Sequence, residues 1–434
     1  MKKSKKCRIA LVQPYCGEIV CPPLALAYLA ANAKENGHEV LLIDLQLPNS
    51  NSKYEEVLRT FAPDIVGFTA MTPQIAAANS LARKAKSVLK PEVLTILGGI
   101  HGSVLPDETL RLYDSFDIIV IGEGDETLVK LCDEYDDVNS MRSVEGVAYL
   151  DKSSNKVVIN KKALLSNLNQ LPFPHYEYNF CHYLKTEQFL PHGVGFAAMM
   201  ASRGCPFPCT FCAANRYGRR YRTRNPNDVV DESEKVISLG ARGLYFMDST
   251  FMTDRKWCID ICNVLRPLNV KWCVDGRVDL VDRELLEIMA ASGCYAIFYG
   301  IESGSQKILD YYKKNTTVNR CREILKLTRE CGIRTTASFI LGAPIETRED
   351  IEMTVNFILD TKPSYYAVGI LSPMPGSKIY DDLIKSGHEF HYDKLTRDHA
   401  TISTSGVTKE ELEKVMSYLK KVRPQICESW VEIK

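Results

Sequence analysis

No stretch of the 434 residues approaches the roughly 20 consecutive apolar side chains that a membrane-spanning helix needs, so no span is expected. Net charge is absent as well. The 54 Lys and Arg residues balance 54 Asp and Glu, which argues against a broad polyanion-binding surface. There is no internal repeat and no low-complexity stretch. Nor does the start read as a secretion signal. Met1–Arg8 is basic, but the apolar stretch after it is short and runs into Gln13-Pro14 without a cleavage site. A cytoplasmic location is expected, and with it no disulfide framework, although the chain has 15 cysteines. Most of these stand singly (Cys7, Cys132, Cys181, Cys294, Cys321, Cys331, Cys427) and read as small buried apolar residues. Cys258 and Cys262, four apart on one helix face, read the same way.

What the chain does have is a regular alternation of strand and helix patterns. Arg8–Gln13, Val40–Leu45, Ile65–Thr69, Val93–Leu97 and Ile118–Ile121 are apolar runs, each followed by a helical period. Near-continuous apolar strands imply a parallel sheet covered on both faces. Residues 1–140 are therefore expected to form a doubly wound, Rossmann-like domain that binds ligands at the carboxyl ends of its strands. Residues 141–190 read as a linker, with a hairpin pattern at Val144–Leu150 and Lys156–Asn160 and a proline-stiffened stretch at Leu171–Tyr176. The linker aromatics Phe173, Tyr176, Tyr178, Phe180 and Tyr183 read as packing residues. From 191 to 375 the alternation resumes. Gly195–Ser202, Gly243–Met247, Lys271–Asp275, Ala296–Ile301, Thr335–Leu341 and Tyr366–Leu371 are strand patterns with helices between them. Six such units predict a partial (β/α)6 barrel of the TIM type, with site residues just after each strand. Residues 376–434 form a short helical tail, and the fold class is α/β.

Cys205, Cys209 and Cys212 are the one tight cysteine group, in a loop stiffened by Pro206 and Pro208 just after the first strand of the second domain. Soft thiolates at this density suit zinc or an iron–sulfur cluster. Structural zinc almost always takes four closed ligands, and only three are local here. Iron–sulfur is thus the preferred reading and zinc the alternative.

Cys-x3-Cys-x2-Cys with the aromatic Phe211 before its last cysteine resembles the radical S-adenosylmethionine (SAM) superfamily. The resemblance implies a 4Fe–4S cluster on Cys205, Cys209 and Cys212, with one iron left open to SAM. It further implies reductive cleavage of SAM to a 5′-deoxyadenosyl radical. The SAM-binding positions it implies are Phe211, Asp248 and Ser249, Arg277, Glu302 and Ser303, and Leu341 before Gly342. The superfamily's Gly-Gly-Glu motif is absent at Asp248-Ser249, and no catalytic side chain is assigned.

The first domain resembles the cobalamin-binding branch of that superfamily. The marks are Pro22–Ala30, Gly67-Phe68-Thr69, Leu97-Gly98-Gly99-Ile100-His101 and Ile121–Glu126. Pro14, Thr69, Gly99, His101, Gly122, Glu123 and Gly124 are the implied cobalamin contacts. The strand-end glycines are read as letting backbone approach the corrin ring. The Asp-x-His-x-x-Gly motif, whose His ligates cobalt in many cobalamin proteins, is missing. The loop reads Gln13-Pro14-Tyr15-Cys16-Gly17. His101 is expected to be a polar strand-end residue, not a cobalt ligand.

The function implied is C-methylation of an unactivated carbon. The substrate radical takes methyl from methylcobalamin, and a second SAM restores the carrier. The alternatives are a radical cyclisation or rearrangement by the same branch, and a sulfur-inserting or RNA-modifying radical enzyme with a degenerate first domain. The implied partners are a small-molecule, lipid or peptide substrate and an electron donor such as flavodoxin or ferredoxin. The basic stretch Asn215–Arg224 interleaves aromatics with arginines, but with zero net charge nucleic acid is not the expected partner.

Overall fold

Runs of three to six residues rich in Val, Ile and Leu form the strands of the first sheet: β1 (Arg8–Gln13), β2 (Glu39–Asp44), β3 (Ile65–Thr69), β4 (Leu94–Gly98) and β5 (Ile118–Val120). Two more follow, β6 (Val147–Asp151) and β7 (Lys156–Ile159). This computed structural model describes residues 6–15, 22–47, 50–90, 92–176, 180–185 and 195–426. Cys16, Gly17, Tyr178 and Cys427 lie outside the described residues. The chain divides into two units, Met1–Phe180 and Cys181–Lys434.

The first unit is a seven-stranded sheet in the order β2-β1-β3-β4-β5-β6-β7. Strands β1 to β5 are parallel, as their apolar runs predict. Ile9, Leu11, Ile65, Ile96 and Ile118 pack against Leu26 and Ala30 of one helix (Leu24–Glu35) and Leu128 and Leu131 of another (Asp125–Asp133). The strand order reverses between β1 and β3. That topological switch point is where open α/β sheets leave a crevice for a ligand.

The linker expectation for residues 141–190 is corrected in part. The hairpin within it belongs to the first sheet, because β6 pairs antiparallel with β5 and β7 with β6. A terminal parallel strand leaves a row of unpaired backbone groups, and the hairpin satisfies them.

The second unit contains β8 (Phe196–Met199), β9 (Ser202–Arg203), β10 (Arg222–Thr223), β11 (Gly243–Phe246), β12 (Lys271–Gly276), β13 (Cys294–Glu302), β14 (Arg334–Leu341) and β15 (Tyr365–Ile370). Its main sheet has the order β15-β14-β13-β12-β11-β8, all parallel. Among the described residues β8 and β15 do not pair, so the barrel is open. Right-handed crossovers between sequential neighbours put the intervening helices on one face. Trp272 sits on that face, fully buried, its indole donating to the Ser292 carbonyl at 2.9 Å and packing against Phe246 and Phe251. Alternate residues face the other way. The exposed edge at β15 is covered by the tail helix Lys409–Ile426, where the Tyr366 hydroxyl donates to the Leu419 carbonyl at 2.6 Å.

Because Trp272 joins β11, β12 and the loop after Phe246, Trp272→Ala is expected to cost about 3–5 kcal/mol. Urea unfolding followed by near-UV circular dichroism measures it.

Candidate functional site

The chain leaves β8 at Met199 and enters the cysteine loop through Ala201-Ser202-Arg203-Gly204. Two distant residues shape that exit. Asp248, just past β11, accepts from the Ala201 N–H at 2.8 Å and the Ser202 hydroxyl at 2.6 Å. Gly204 has φ +89°, and a Cβ there would overlap the Arg220 carbonyl, so the loop closes on itself as the small β9–β10 ladder. Further along, the Thr210 N–H donates to the Tyr312 carbonyl at 3.0 Å, and the Ile379 N–H donates to the Thr210 carbonyl at 3.1 Å. The loop is therefore tied to β11, to the segment after β13 and to the tail.

Each cysteine in it meets a polar group. The Cys205 sulfur lies 3.6 Å from the Thr250 hydroxyl. Arg277 Nη1 donates to the Cys209 sulfur at 3.6 Å. Cys212 receives a backbone hydrogen bond from Ala214, while burial pushes its thiol up. None of the three is joined in a disulfide. Among the described residues no three His, Cys, Asp or Glu side chains converge on one point, as a single metal ion would require. A 4Fe–4S cluster makes no such demand, because each cysteine binds a different iron and the sulfurs stand apart. Hydrogen bonds to the ligating sulfurs are among the levers that tune such clusters. Soft sulfurs outside any disulfide, with hydrogen-bonding groups beside them, fit that group.

Arg277 is 4 % exposed and mostly committed to the protein. It pairs bidentately with Asp279 at 2.9 Å, donates to the Lys314 carbonyl and lies over the Phe207 ring at 3.9 Å. Its observed task is to brace the cysteine loop. Glu302 has φ +70°, uncommon for a residue with a side chain, at a register shift in β13. Its carboxylate is held by Lys314 Nζ at 2.7 Å, with both groups buried. Ser249, just past β11, is exposed.

Other expected SAM positions turn inward. Ser303 is buried, with its hydroxyl 3.0 Å from the Thr354 hydroxyl and accepting from the Ser305 N–H. Both Asp248 oxygens are occupied as described, which makes it a brace as well. The Leu341 side chain is fully buried, and the Phe211 ring packs edge-on against Tyr312 in an apolar cluster with Ile379 and Leu383. Thr250, Asp279, Lys314 and Phe207 were not legible as site residues. Their role depends on contacts across the fold, and no motif marks them. The basic stretch loses much of its availability: Arg224 is buried in an ion pair with Glu232, and Arg219 donates to the Pro206 carbonyl.

In the first unit, Gln74 links the two switch-point loops. Its amide donates to the Pro14 carbonyl at 3.4 Å, and its oxygen accepts from the Met71 N–H at 3.0 Å. Tyr15 and Met71, at the ends of β1 and β3, are 42% and 52% exposed, an apolar rim that suits a large, partly apolar cofactor. Thr69 lies beside them, half-buried. The strand-end glycines Gly99 and Gly122 are tightly packed. A Cβ on Gly99 would meet the Ala70 backbone at 2.7 Å, and one on Gly122 would overlap the Ala163 carbonyl. At both positions the absence of a side chain lets another segment of backbone come close. Gly124 has only ordinary contacts. Glu123 accepts from the Leu165 N–H at 2.9 Å. His101 is buried, its Nδ1 3.3 Å from the Thr72 hydroxyl, and burial pushes its pKa down to about 4.

Comparison with known proteins agrees with both halves. A B12 binding domain model matches residues 16–132, and a radical SAM superfamily model matches residues 199–358. An uncharacterized methyltransferase of Pyrococcus horikoshii is 30% identical over 404 residues, covering 91% of this chain and 86% of that protein. The anaerobic magnesium-protoporphyrin IX monomethyl ester cyclase of Cereibacter sphaeroides is 33% identical over 90% of this chain, which spans 65% of that protein. The structure of a radical S-adenosylmethionine methyltransferase from Kitasatospora setae, with cobalamin and a 4Fe–4S cluster bound, has a TM-score of 0.73. At 18% identity over 88% of this chain and 75% of that one, the likeness is one of fold. No helix among the described residues is long and apolar enough to cross a membrane.

Burial pushes the Asp248 carboxyl up to about 7, whereas an unfolded Asp titrates near about 3.9. Between those values the folded chain holds a proton that the unfolded chain has released, so this group makes stability fall as pH rises from about 4 to about 7. Asp248→Asn is expected to flatten that part of the Tm–pH curve, measured by differential scanning fluorimetry from pH 5 to 8.

Proposed function

Since the chain belongs to the radical SAM superfamily, in the branch that carries a B12-binding domain, we propose that this enzyme methylates an unactivated carbon of a small molecule, lipid or peptide. Its cofactors are a 4Fe–4S cluster, SAM and cobalamin. What carries the proposal is the conjunction, in one chain, of a B12-binding domain with a loop of three closely spaced cysteines at the carboxyl end of a parallel strand. A carbon with no acidic or nucleophilic character cannot accept a methyl group from a sulfonium directly. It must first lose a hydrogen atom. When bound, the cluster supplies the electron that cleaves SAM to a hydrogen-abstracting radical, and cobalamin supplies a transferable methyl group.

The protein's part is to hold and orient. Cys205, Cys209 and Cys212 would hold the cluster, with Arg277 and Thr250 directing hydrogen-bonding groups at two of the sulfurs. Glu302, kept rigid by Lys314, and the exposed Ser249 are the polar groups proposed to meet SAM. Pro14 and Thr69, with the Tyr15 and Met71 rim, are proposed to meet the cobalamin. A low-potential electron donor such as flavodoxin or ferredoxin is the proposed redox partner. Ring closure is the second reading, favoured by the 33% identity to the cyclase.

Anaerobic reconstitution followed by assay of 5′-deoxyadenosine and S-adenosylhomocysteine separates the two. Methylation yields both products, whereas cyclisation yields deoxyadenosine alone. Cys209→Ala is expected to lose most of the bound iron and nearly all deoxyadenosine formation. Because His101 is buried against Thr72, His101→Gln is expected to leave the EPR spectrum of bound cob(II)alamin unchanged. A loss of nitrogen hyperfine splitting would instead make His101 a cobalt ligand.

A further inference from the structure

The face of the second sheet turned away from its helices carries a side-chain cluster that the cysteine loop does not use. Tyr245 of β11, Cys273 of β12 and Ala296 of β13 are buried there with Phe196, and Met247, Tyr295 and Phe298 pack against them while remaining partly exposed. The Tyr245 and Phe298 rings are 5.5 Å apart, and those of Phe196 and Tyr295 are 6.3 Å apart. Within this aromatic floor stands one carboxyl group, Asp275, partly exposed near the end of β12. The Tyr245 hydroxyl lies 3.1 Å from each of its oxygens.

Asp275 is under-satisfied for a carboxylate. One O–H shared between two oxygens leaves most of its lone-pair sites open. Among the described residues no Lys, Arg or His stands within ion-pair distance of it. The charged groups that act on it are the Asp248 carboxyl, which accepts from the Ala201 N–H and the Ser202 hydroxyl, and the Arg397 guanidinium of the tail. Asp275 and Arg277 occupy alternate positions on one extended segment, so their side chains leave the same face about 7 Å apart along the backbone. Arg277 in turn reaches Cys209.

We propose that Asp275 and Tyr245 form the polar anchor of a substrate pocket on this face, one that takes a molecule with an apolar or aromatic body and a cationic, hydrogen-bond-donating head such as an amine. The body lies against Tyr295, Phe298 and Met247, and the head donates to Asp275. An anionic head is disfavoured by the two neighbouring carboxyl groups. Burial, with a smaller contribution from the nearby Asp248 carboxyl, pushes Asp275 up to about 7 against the opposing Tyr245 hydrogen bond, and a bound cation pulls it back to the charged form. The site deepens the proposed function, resting on the second unit being a radical SAM domain.

The test uses reconstituted full-length protein and two probes of similar shape, 4-phenylbutylamine and 4-phenylbutyrate, titrated anaerobically by calorimetry. The amine is expected to bind saturably and at least tenfold more tightly than the acid. Asp275→Asn is expected to weaken the amine by about tenfold or more, the usual worth of a hydrogen bond to a charged group. Tyr245→Phe is expected to weaken it less and to keep the preference for the amine. Substrate-free 5′-deoxyadenosine formation with dithionite stays within twofold of wild type in both variants. The proposal is overturned if the amine fails to saturate the wild-type protein, or binds Asp275→Asn as well as wild type. It is equally overturned if Asp275→Asn loses substrate-free SAM cleavage at unchanged iron content, since Asp275 would then serve SAM. Failure of the radical reading itself shows separately, as no deoxyadenosine from the wild-type protein.

Discussion

The second unit depends on how one buried cation is matched. Arg277 brings a full positive charge to a site 4 % exposed, which would be prohibitive without partners. Asp279 takes two of its N–H groups, the Lys314 carbonyl a third and the Cys209 sulfur a fourth, and the Phe207 ring covers its face. The same Lys314 anchors Glu302 through its ammonium. The loops after β8, β12 and β13 thus share a single network of charge-assisted bonds. In such a network each member fixes the orientation of the next. Three cysteines confined to eight residues would repel one another as thiolates. A guanidinium bound to the middle one offsets part of that repulsion before any metal arrives.

The two faces of the second sheet divide the work. The helix-covered face is apolar and closed, with Trp272, Phe246, Phe251 and Leu265 packed to exclude water. It supplies stability and holds the strand ends still. The opposite face is aromatic and partly exposed, and it carries Asp275, whose two oxygens share the Tyr245 hydroxyl. In the first unit a comparable division falls between strand ends. Beyond β5, Gly122 and Glu123 are bound to the segment at Ala163 and Leu165, whereas at β1 and β3 the apolar rim of Tyr15 and Met71 stays open.

The strands and helices are largely legible in the sequence. β1 and β3 have the limits their apolar runs predict, β2 and β4 are shifted by one residue at both ends, and β5 ends one residue early. Local periodicity encodes them, and so does the alternation that makes the sheets parallel. The cysteine loop is legible for a similar reason. Its chemistry lies in three nearby thiols and two prolines, and no distant contact is needed to recognise it. The hairpin of β6 and β7 is legible as a hairpin, but its membership of the first sheet is not, because edge pairing joins segments that carry no mutual mark.

The sequence by itself determined the two α/β units, the thiol loop at a strand end and the cofactor class that such a loop serves. Only the tertiary structure decided which way each strand-end side chain turns. Ser303 faces a helix, Asp248 braces the Ala201–Ser202 exit from 47 residues away, Arg277 reaches Cys209 across 68, and Asp275 meets Tyr245 across 30. A strand's period says that side chains alternate. Which face is covered, and what waits there, is set by segments far along the chain, and no local pattern records them.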